Sequence, residues 1–180
     1  MGLDPGFSAI GWSMTSIGVD AEKVEAMGVI RTSKSAKKRK VAAADDNIRR
    51  AREITREFVE LIDKYQPIAL CCEAMSFPRN SSSAAKMALT WGVLVALADR
   101  YNIPIYQSSP QEIKDKVTGR KDASKEQVER ALRKRYKGTA WAKMLKSVPA
   151  SMRDHAYDGL AATVAVLDTE PMILLRRFVK

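Results

Sequence analysis

Between Pro67 and Glu73 the chain reads Ile68-Ala69-Leu70-Cys71-Cys72, an apolar run with no polar break. So short and uniform a run reads as a strand buried on both faces, bounded by a proline and by an acid. Ile103 to Gln107 reads as a second buried strand. Such strands need helices above and below the sheet, and the neighbouring segments supply them. From Asp46 to Tyr65, residues Ala51, Ile54, Phe58, Leu61, Ile62 and Tyr65 recur at three- and four-residue steps. They form one apolar stripe, while Arg49, Arg52 and Arg56 lie together on another face. Ser81-Ser82-Ser83 can start a helix that runs to about Tyr101 and has little polar surface. A helix apolar nearly all round must be covered on both sides, by the sheet on one and by a second subunit on the other.

The N-terminal third has a different pattern. Met1 to Leu3, Phe7 to Ile17 and Val24 to Thr32 read as strands, broken by Asp4-Pro5-Gly6 and by the polar stretch from Gly18 to Lys23. Three hairpin-linked antiparallel strands are the simplest arrangement. Further on, Pro110 to Val117 reads as a short helix, and Ser124 with Gln127 is a capping-box pair for a helix to about Tyr136. Lys137 to Pro149 is irregular and basic, with Trp141 on an extra helical turn. The last helix is expected to start near Ser151 to Asp154 and to carry Leu160, Ala161, Val164 and Leu167. Strands first, then helices alternating with buried strands, indicate an α/β fold. Its mixed five-stranded sheet has three antiparallel N-terminal strands plus two parallel ones, flanked by helices. With no internal repeat and no low-complexity linker, residues 1–180 read as one domain.

Composition narrows the function. The 180 residues include 31 Lys and Arg against 21 Asp and Glu, a formal net charge of +10. That excess points to a polyanion, or to an anionic membrane surface. No segment reaches the roughly 18 uninterrupted apolar residues of a bilayer span. The N-terminus enters Gly2-Leu3-Asp4 directly, so no secretory leader is expected. Cys71 and Cys72 are adjacent and cannot bridge each other normally, which suits a reducing, cytoplasmic compartment. One histidine and two neighbouring cysteines cannot build a four-ligand zinc site.

Three carboxylates stand at unusual places. Asp4 ends the first strand, Glu73 ends the buried fourth strand, and Asp158 lies in an otherwise apolar helix. An acid at a strand end is commonly a cap or turn, but an acid on an apolar helix face needs a partner. In a basic protein the three together suggest a shared hard cation with oxygen ligands, such as Mg²⁺. Two such ions can support phosphodiester hydrolysis.

Four segments in order carry a resemblance. They are Gly2-Leu3-Asp4-Pro5-Gly6 with Gly11-Trp12; Cys72-Glu73-Ala74; the stretch Ser109 to Lys114 with Val117-Thr118-Gly119 and Ala123 to Val128; and Asp154-His155-Ala156-Tyr157-Asp158-Gly159-Leu160-Ala161. Together they cover most of the chain and resemble the RuvC-type Holliday junction resolvases. The resemblance implies an RNase H-like fold and a homodimer. It also implies Mg²⁺-dependent cutting of four-way junctions and other branched DNA, with two ions per site and Mn²⁺ as a substitute. Membranes are not among the implied partners. By the same resemblance the site is Asp4, Glu73, His155 and Asp158, with Lys114 and Lys125 near the scissile phosphate. Arg79 joins Phe77 in the expected DNA contacts. Where the family often carries an aromatic three residues beyond the glutamate, this chain has Ser76, followed by Phe77, which serves either as the junction wedge or as core. The basic tract Lys34 to Lys40 is either a solvated loop or a phosphate-contacting arm. The stretch from Lys125 to His155 is longer than is usual for the family.

Helix spacing leaves one question to geometry. Asp154 and His155 both lie within a turn of Asp158, so either could be the fourth ligand; the motif match favours His155. Two rival readings have other consequences. A non-catalytic branched-DNA-binding module would bind without cutting. An actin-like nucleotide-binding fold needs two such lobes, for which this chain is too short.

Overall fold

The computed structural model describes residues 1–18, 22–36, 41–75, 80–167 and 169–178. Its centre is a five-stranded sheet in the order β3-β2-β1-β4-β5. β1 (Gly2–Asp4), β2 (Ala9–Ile17) and β3 (Glu22–Arg31) form the antiparallel part. β4 (Leu70–Glu73) and β5 (Ile105–Ser108) extend it in parallel from the other side of β1. This is the mixed sheet that the two kinds of strand pattern require.

Side-chain alternation divides the sheet into two faces. Leu3, Ile10, Ile30, Leu70 and Cys72 point into a core shared with α1 (Ala43–Tyr65) and α2 (Ser81–Arg100). That core includes Ile54, Phe58 and Ile62 of the expected stripe. The opposite face carries α3 (Pro110–Thr118), α4 (Lys125–Arg135) and, flat against the strands, α6 (Arg153–Leu167). Capping boxes at Ser109/Glu112 and Ser124/Gln127 start α3 and α4. Trp141 opens the short α5 (Trp141–Met144).

By length and composition α2 could cross a bilayer. Here Thr90, Trp91, Leu94, Leu97 and Ala98 are buried in the core, while Ala85, Ala88, Leu89, Gly92, Val95 and Ala96 face outward. The expectation of cover on both sides is therefore met on one side within this chain.

One correction concerns the C-terminus. The helix carrying Leu160 to Leu167 is expected to be the last, yet α7 (Glu170–Phe178) follows. Glu22, at the start of β3, ties it down. Its carboxylate accepts hydrogen bonds from Arg176 of α7 at 2.6 Å, from Arg135 of α4 at 2.9 Å and from the Tyr136 hydroxyl at 3.0 Å.

Candidate active site

Period-two alternation places the first two acids. Leu3 and Cys72 are register partners on adjacent parallel strands, and both face the α1/α2 core. Asp4 and Glu73, each one residue further, therefore leave neighbouring strand ends toward the α6 face. α6 reaches that face because glycine lets it. A Cβ at Gly11 would lie 1.7 Å from the His155 carbonyl oxygen, and one at Gly2 would lie 2.0 Å from that of Gly159. Helix backbone thus rests on strand backbone, and the first turns of α6 bring His155 and Asp158 over Asp4.

One ligand atom each from Asp4, His155 and Asp158 lies within 4.8 Å of the others, the one such convergence of three among the described residues. His155 Nδ1 is 2.8 Å from Asp4 Oδ2. A carboxylate only accepts, so Nδ1 carries the proton and donates it, leaving the Nε2 lone pair open when the ring is neutral. These groups open onto a hollow of about 320 Å³ whose lining adds Glu73, Lys114, Lys125 and an apolar wall of Ile113, Val128 and Ala161. Lys125 Nζ reaches Asp154 at 2.8 Å and Asp158 at 3.2 Å. Of the two neighbours that spacing left open, His155 joins the cluster and Asp154 anchors a lysine.

The electrostatics show crowding. Burial, reinforced by the charges of Asp4 and Asp158, pushes Glu73 up to about 7 despite Lys125 and Lys114. Burial also raises Asp158, with Asp4 adding to the effect and Lys125 opposing it. The hydrogen bond to Asp4 raises His155 above its ordinary value. At Asp154 burial is outweighed by the Lys125 ammonium, and the carboxyl is held low. Carboxyls that resist ionising together, with one imidazole, make a donor set suited to a hard divalent cation, whose charge would remove the repulsion.

Arg50 supports the strand end, a role absent from the expected site residues. It is 2% exposed. Its guanidinium donates to Thr32 Oγ1 at 2.9 Å, to Ser8 Oγ at 2.8 Å and to the Phe7 carbonyl at 3.3 Å. It also sits 4.3 Å from the centroid of the Phe7 ring. The turn that follows Asp4 is thereby fastened to α1 and to the end of β3. A signal existed, since Arg50 falls in phase with Ile54, Phe58 and Ile62 at four-residue steps. Phe77, Arg79 and Lys37 to Lys40 lie outside the described residues.

The strand order, with acids at the ends of β1 and β4 and a third on the helix across them, defines an RNase H-like domain with an acidic site at one end of its sheet. The family profile described as Crossover junction endodeoxyribonuclease RuvC matches residues 1–165. This chain belongs to the RuvC family of crossover junction endodeoxyribonucleases, whose nucleases are metal-dependent. It is 35% identical over 164 residues to the crossover junction endodeoxyribonuclease RuvC of Porphyromonas gingivalis, covering 91% of this chain and 78% of the relative. To the RuvC of Pseudothermotoga lettingae it is 30% identical over 161 residues, covering 89% and 88%. Among solved structures it superimposes on T. thermophilus RuvC in complex with Holliday junction substrate with a TM-score of 0.73. That match covers 98% of this chain and 94% of the other at 20% identity, a likeness of fold.

Proposed function

We propose that this chain resolves four-way DNA junctions, and related branched DNA, by hydrolysing phosphodiesters at the hollow between β1, β4 and α6. The observation that carries this reading is the convergence of Asp4, His155 and Asp158 within 4.8 Å at a hollow also lined by Glu73, Lys114 and Lys125. Asp4, Glu73 and Asp158 would hold Mg²⁺, two ions per site, with Mn²⁺ as a substitute, and His155 would either join them as a ligand or act on the attacking water. When bound, a divalent cation supplies positive charge against the negative charge that builds on the phosphoryl oxygens. Lys114 and Lys125 add fixed charge on the same side and orient the phosphate in the hollow. His155, held through Nδ1 by Asp4, keeps its Nε2 lone pair for one role at a time, as a ligand of the cation or as the acceptor of a proton from the attacking water. The apolar wall of Ile113, Val128 and Ala161 limits the solvent that competes for that position.

A junction offers two equivalent strands, so the reading includes a homodimer that makes paired nicks. The outward face of α2 supports it, with Ala85, Ala88, Leu89, Gly92, Val95 and Ala96 presenting an apolar surface narrow enough for close helix contact. Sedimentation at micromolar concentration should give a dimer, and Val95→Glu should shift it to monomer. The deciding experiment uses labelled four-way junctions, forks and linear duplex, with Mg²⁺ or with chelator. Symmetrical nicks on the junction that require the metal are expected. Tight junction binding without cutting, at saturating Mg²⁺ or Mn²⁺, would make the chain a binding module instead.

A further inference from the structure

A second hollow, about 580 Å³, lies between α3 and α4 next to the catalytic one. The two share walls. Ile113 and Lys114 line the first, while Val117 and Thr118, one turn on, line the second; on α4, Lys125 and Val128 line the first and Gln127 and Arg130 the second. The second hollow has a different electrostatic character. Its lining includes Arg120, Arg130, Lys134 and Arg135 and no carboxylate. Arg120 is paired with Asp122 at 3.0 Å and Arg135 with Glu22 at 2.9 Å. Among the described residues Arg130 and Lys134 make no ion pair, and both are exposed. They stand one helical turn apart on one face of α4, a rise of about 6 Å, on the scale of the distance between neighbouring phosphates along one DNA strand. The lining also includes the small apolar side chains of Ala123 and Ala131, which leave room for a sugar-phosphate backbone.

We propose that this cleft is a backbone-binding subsite for the duplex arm that leaves the catalytic hollow, with Arg130 and Lys134 each neutralising one phosphate. It rests on the reading of the chain as a junction endonuclease and adds where one arm is held. The subsite reads charge and spacing, not bases, because its free donors are cations on a helix surface and a phosphate track needs nothing more. It raises affinity and leaves the chemistry at Asp4, Glu73, His155 and Asp158 untouched.

The test is the double variant Arg130→Gln/Lys134→Gln in the full chain. Both sites are exposed, and glutamine is a good helix former, so the fold is expected to persist; circular dichroism checks this. Junction affinity is measured at several salt concentrations, on junctions with long arms and on junctions with arms cut to a few base pairs. On long arms the slope of log affinity against log salt should become shallower by about 2, one unit per lost phosphate contact. The gap between parent and variant should therefore close about tenfold between about 50 and 200 mM salt. On truncated arms the affinities of parent and variant should coincide. An unaltered salt slope on long arms would overturn the subsite, as would a loss of equal size on truncated arms. If the parent cuts no junction yet the double variant shows the shallower salt slope on long arms, the endonuclease reading fails while the subsite stands. If the parent cuts and the double variant shows no change in slope, the subsite fails alone.

Discussion

Glu22 and Glu73 are both partly buried glutamates at strand termini, and their surroundings drive them in opposite directions. Burial pushes Glu22 up, but the hydrogen bonds from Arg176 and Arg135, the charge of Arg135 and the Tyr136 hydroxyl outweigh it, and its pKa is lowered. Glu73 meets burial together with two more carboxylates and is pushed up to about 7. Around Glu22 the charges cancel within the chain, and β3, α4 and α7 are fastened together. Around Glu73 they do not, and cancellation is left to something outside the chain. A carboxylate satisfied by its own protein holds structure; carboxylates left in mutual conflict mark a place where a cation belongs.

The comparison breaks most visibly under neutralisation. Asp4→Asn, Glu73→Gln and Asp158→Asn should each lower cleavage by about a thousandfold or more, the kinetic equivalent of several kcal/mol of lost charge stabilisation. Junction binding should stay within a few-fold, since none of the three is a phosphate-contacting cation. Glu22→Gln should leave turnover intact at low temperature. It should cost stability, about 1–3 kcal/mol for weakening the charged hydrogen bonds of a partly buried network from one side, read by denaturant titration. Turnover by any one of the three at saturating Mg²⁺ would remove that residue from the site. Loss of cutting in a folded Glu22→Gln would end the division between the two glutamates.

His155 comes next in size. His155→Ala should reduce cleavage by about a hundredfold, the lower range for a positioned acid or base. His155→Asp should keep a substantial part of the activity, because an oxygen ligand also suits Mg²⁺. The imidazole must be neutral to accept a proton or bind a cation. Asp4 raises its pKa, so activity should fall on acidification from a point above the ordinary value of about 6.5. Bound Mg²⁺ works against Asp4, so rising Mg²⁺ should move the acid limb to lower pH. A limb indifferent to Mg²⁺, or one retained unchanged in His155→Asp, would assign it to another group.

The same two glutamates should give opposite stability profiles in metal-free protein. The folded value of Glu73 lies above its unfolded value, so the folded state binds that proton more tightly. Its ionisation therefore costs stability progressively between about pH 4.5 and 7. Glu73→Gln should recover about 1–2 kcal/mol above that range, a figure reduced for solvent screening. Mg²⁺ should abolish the difference. Glu22, whose folded value is lowered, contributes stability above its unfolded value of 4.5 that is lost as pH falls. Melting in chelator from about pH 3 to 8, for parent and both glutamine variants, checks the signs. A Glu73→Gln variant no more stable than the parent at pH 8 would show that the hollow is not electrostatically strained.

How much of this the sequence discloses depends on range. The strand pairings and the two acids at strand ends follow from period-two alternation and from runs of a few residues, so Asp4 and Glu73 are legible. Asp158 is legible because a charge on an apolar helix stands out. The Glu22 clamp is not, since its partners Arg135 and Arg176 lie 113 and 154 positions away and each alone looks like a solvated surface arginine. Without that clamp α7 has little to announce it. Arg50 passes for one more surface arginine among Arg49, Arg52 and Arg56 until its phase with Ile54 is noticed. The close approach of α6 depends on Gly2, Gly11 and Gly159 lying opposite one another across three elements, a coincidence visible only in three dimensions.

The smallest effect separates the two neighbours on α6. Asp154 is bound to Lys125 at 2.8 Å, and the pair is exposed, 59% at the lysine side chain and 41% at the carboxylate. Exposed ion pairs contribute about 0–1 kcal/mol. In Asp154→Ala the Lys125 ammonium keeps its second partner, Asp158, at 3.2 Å, so its charge stays at the hollow. Its hold there loosens, and the phosphate is oriented less well. Cleavage should therefore fall by no more than about fivefold, the kinetic equivalent of about 1 kcal/mol. The Mg²⁺ concentration for half-maximal activity should not rise, because no ligand is lost. Metal titrations of Asp154→Ala and His155→Ala side by side make the distinction sharp. If Asp154→Ala is the weaker enzyme of the two and needs more Mg²⁺, then the lysine contact is a feature of the resting site. Asp154, not His155, then completes the ligand set.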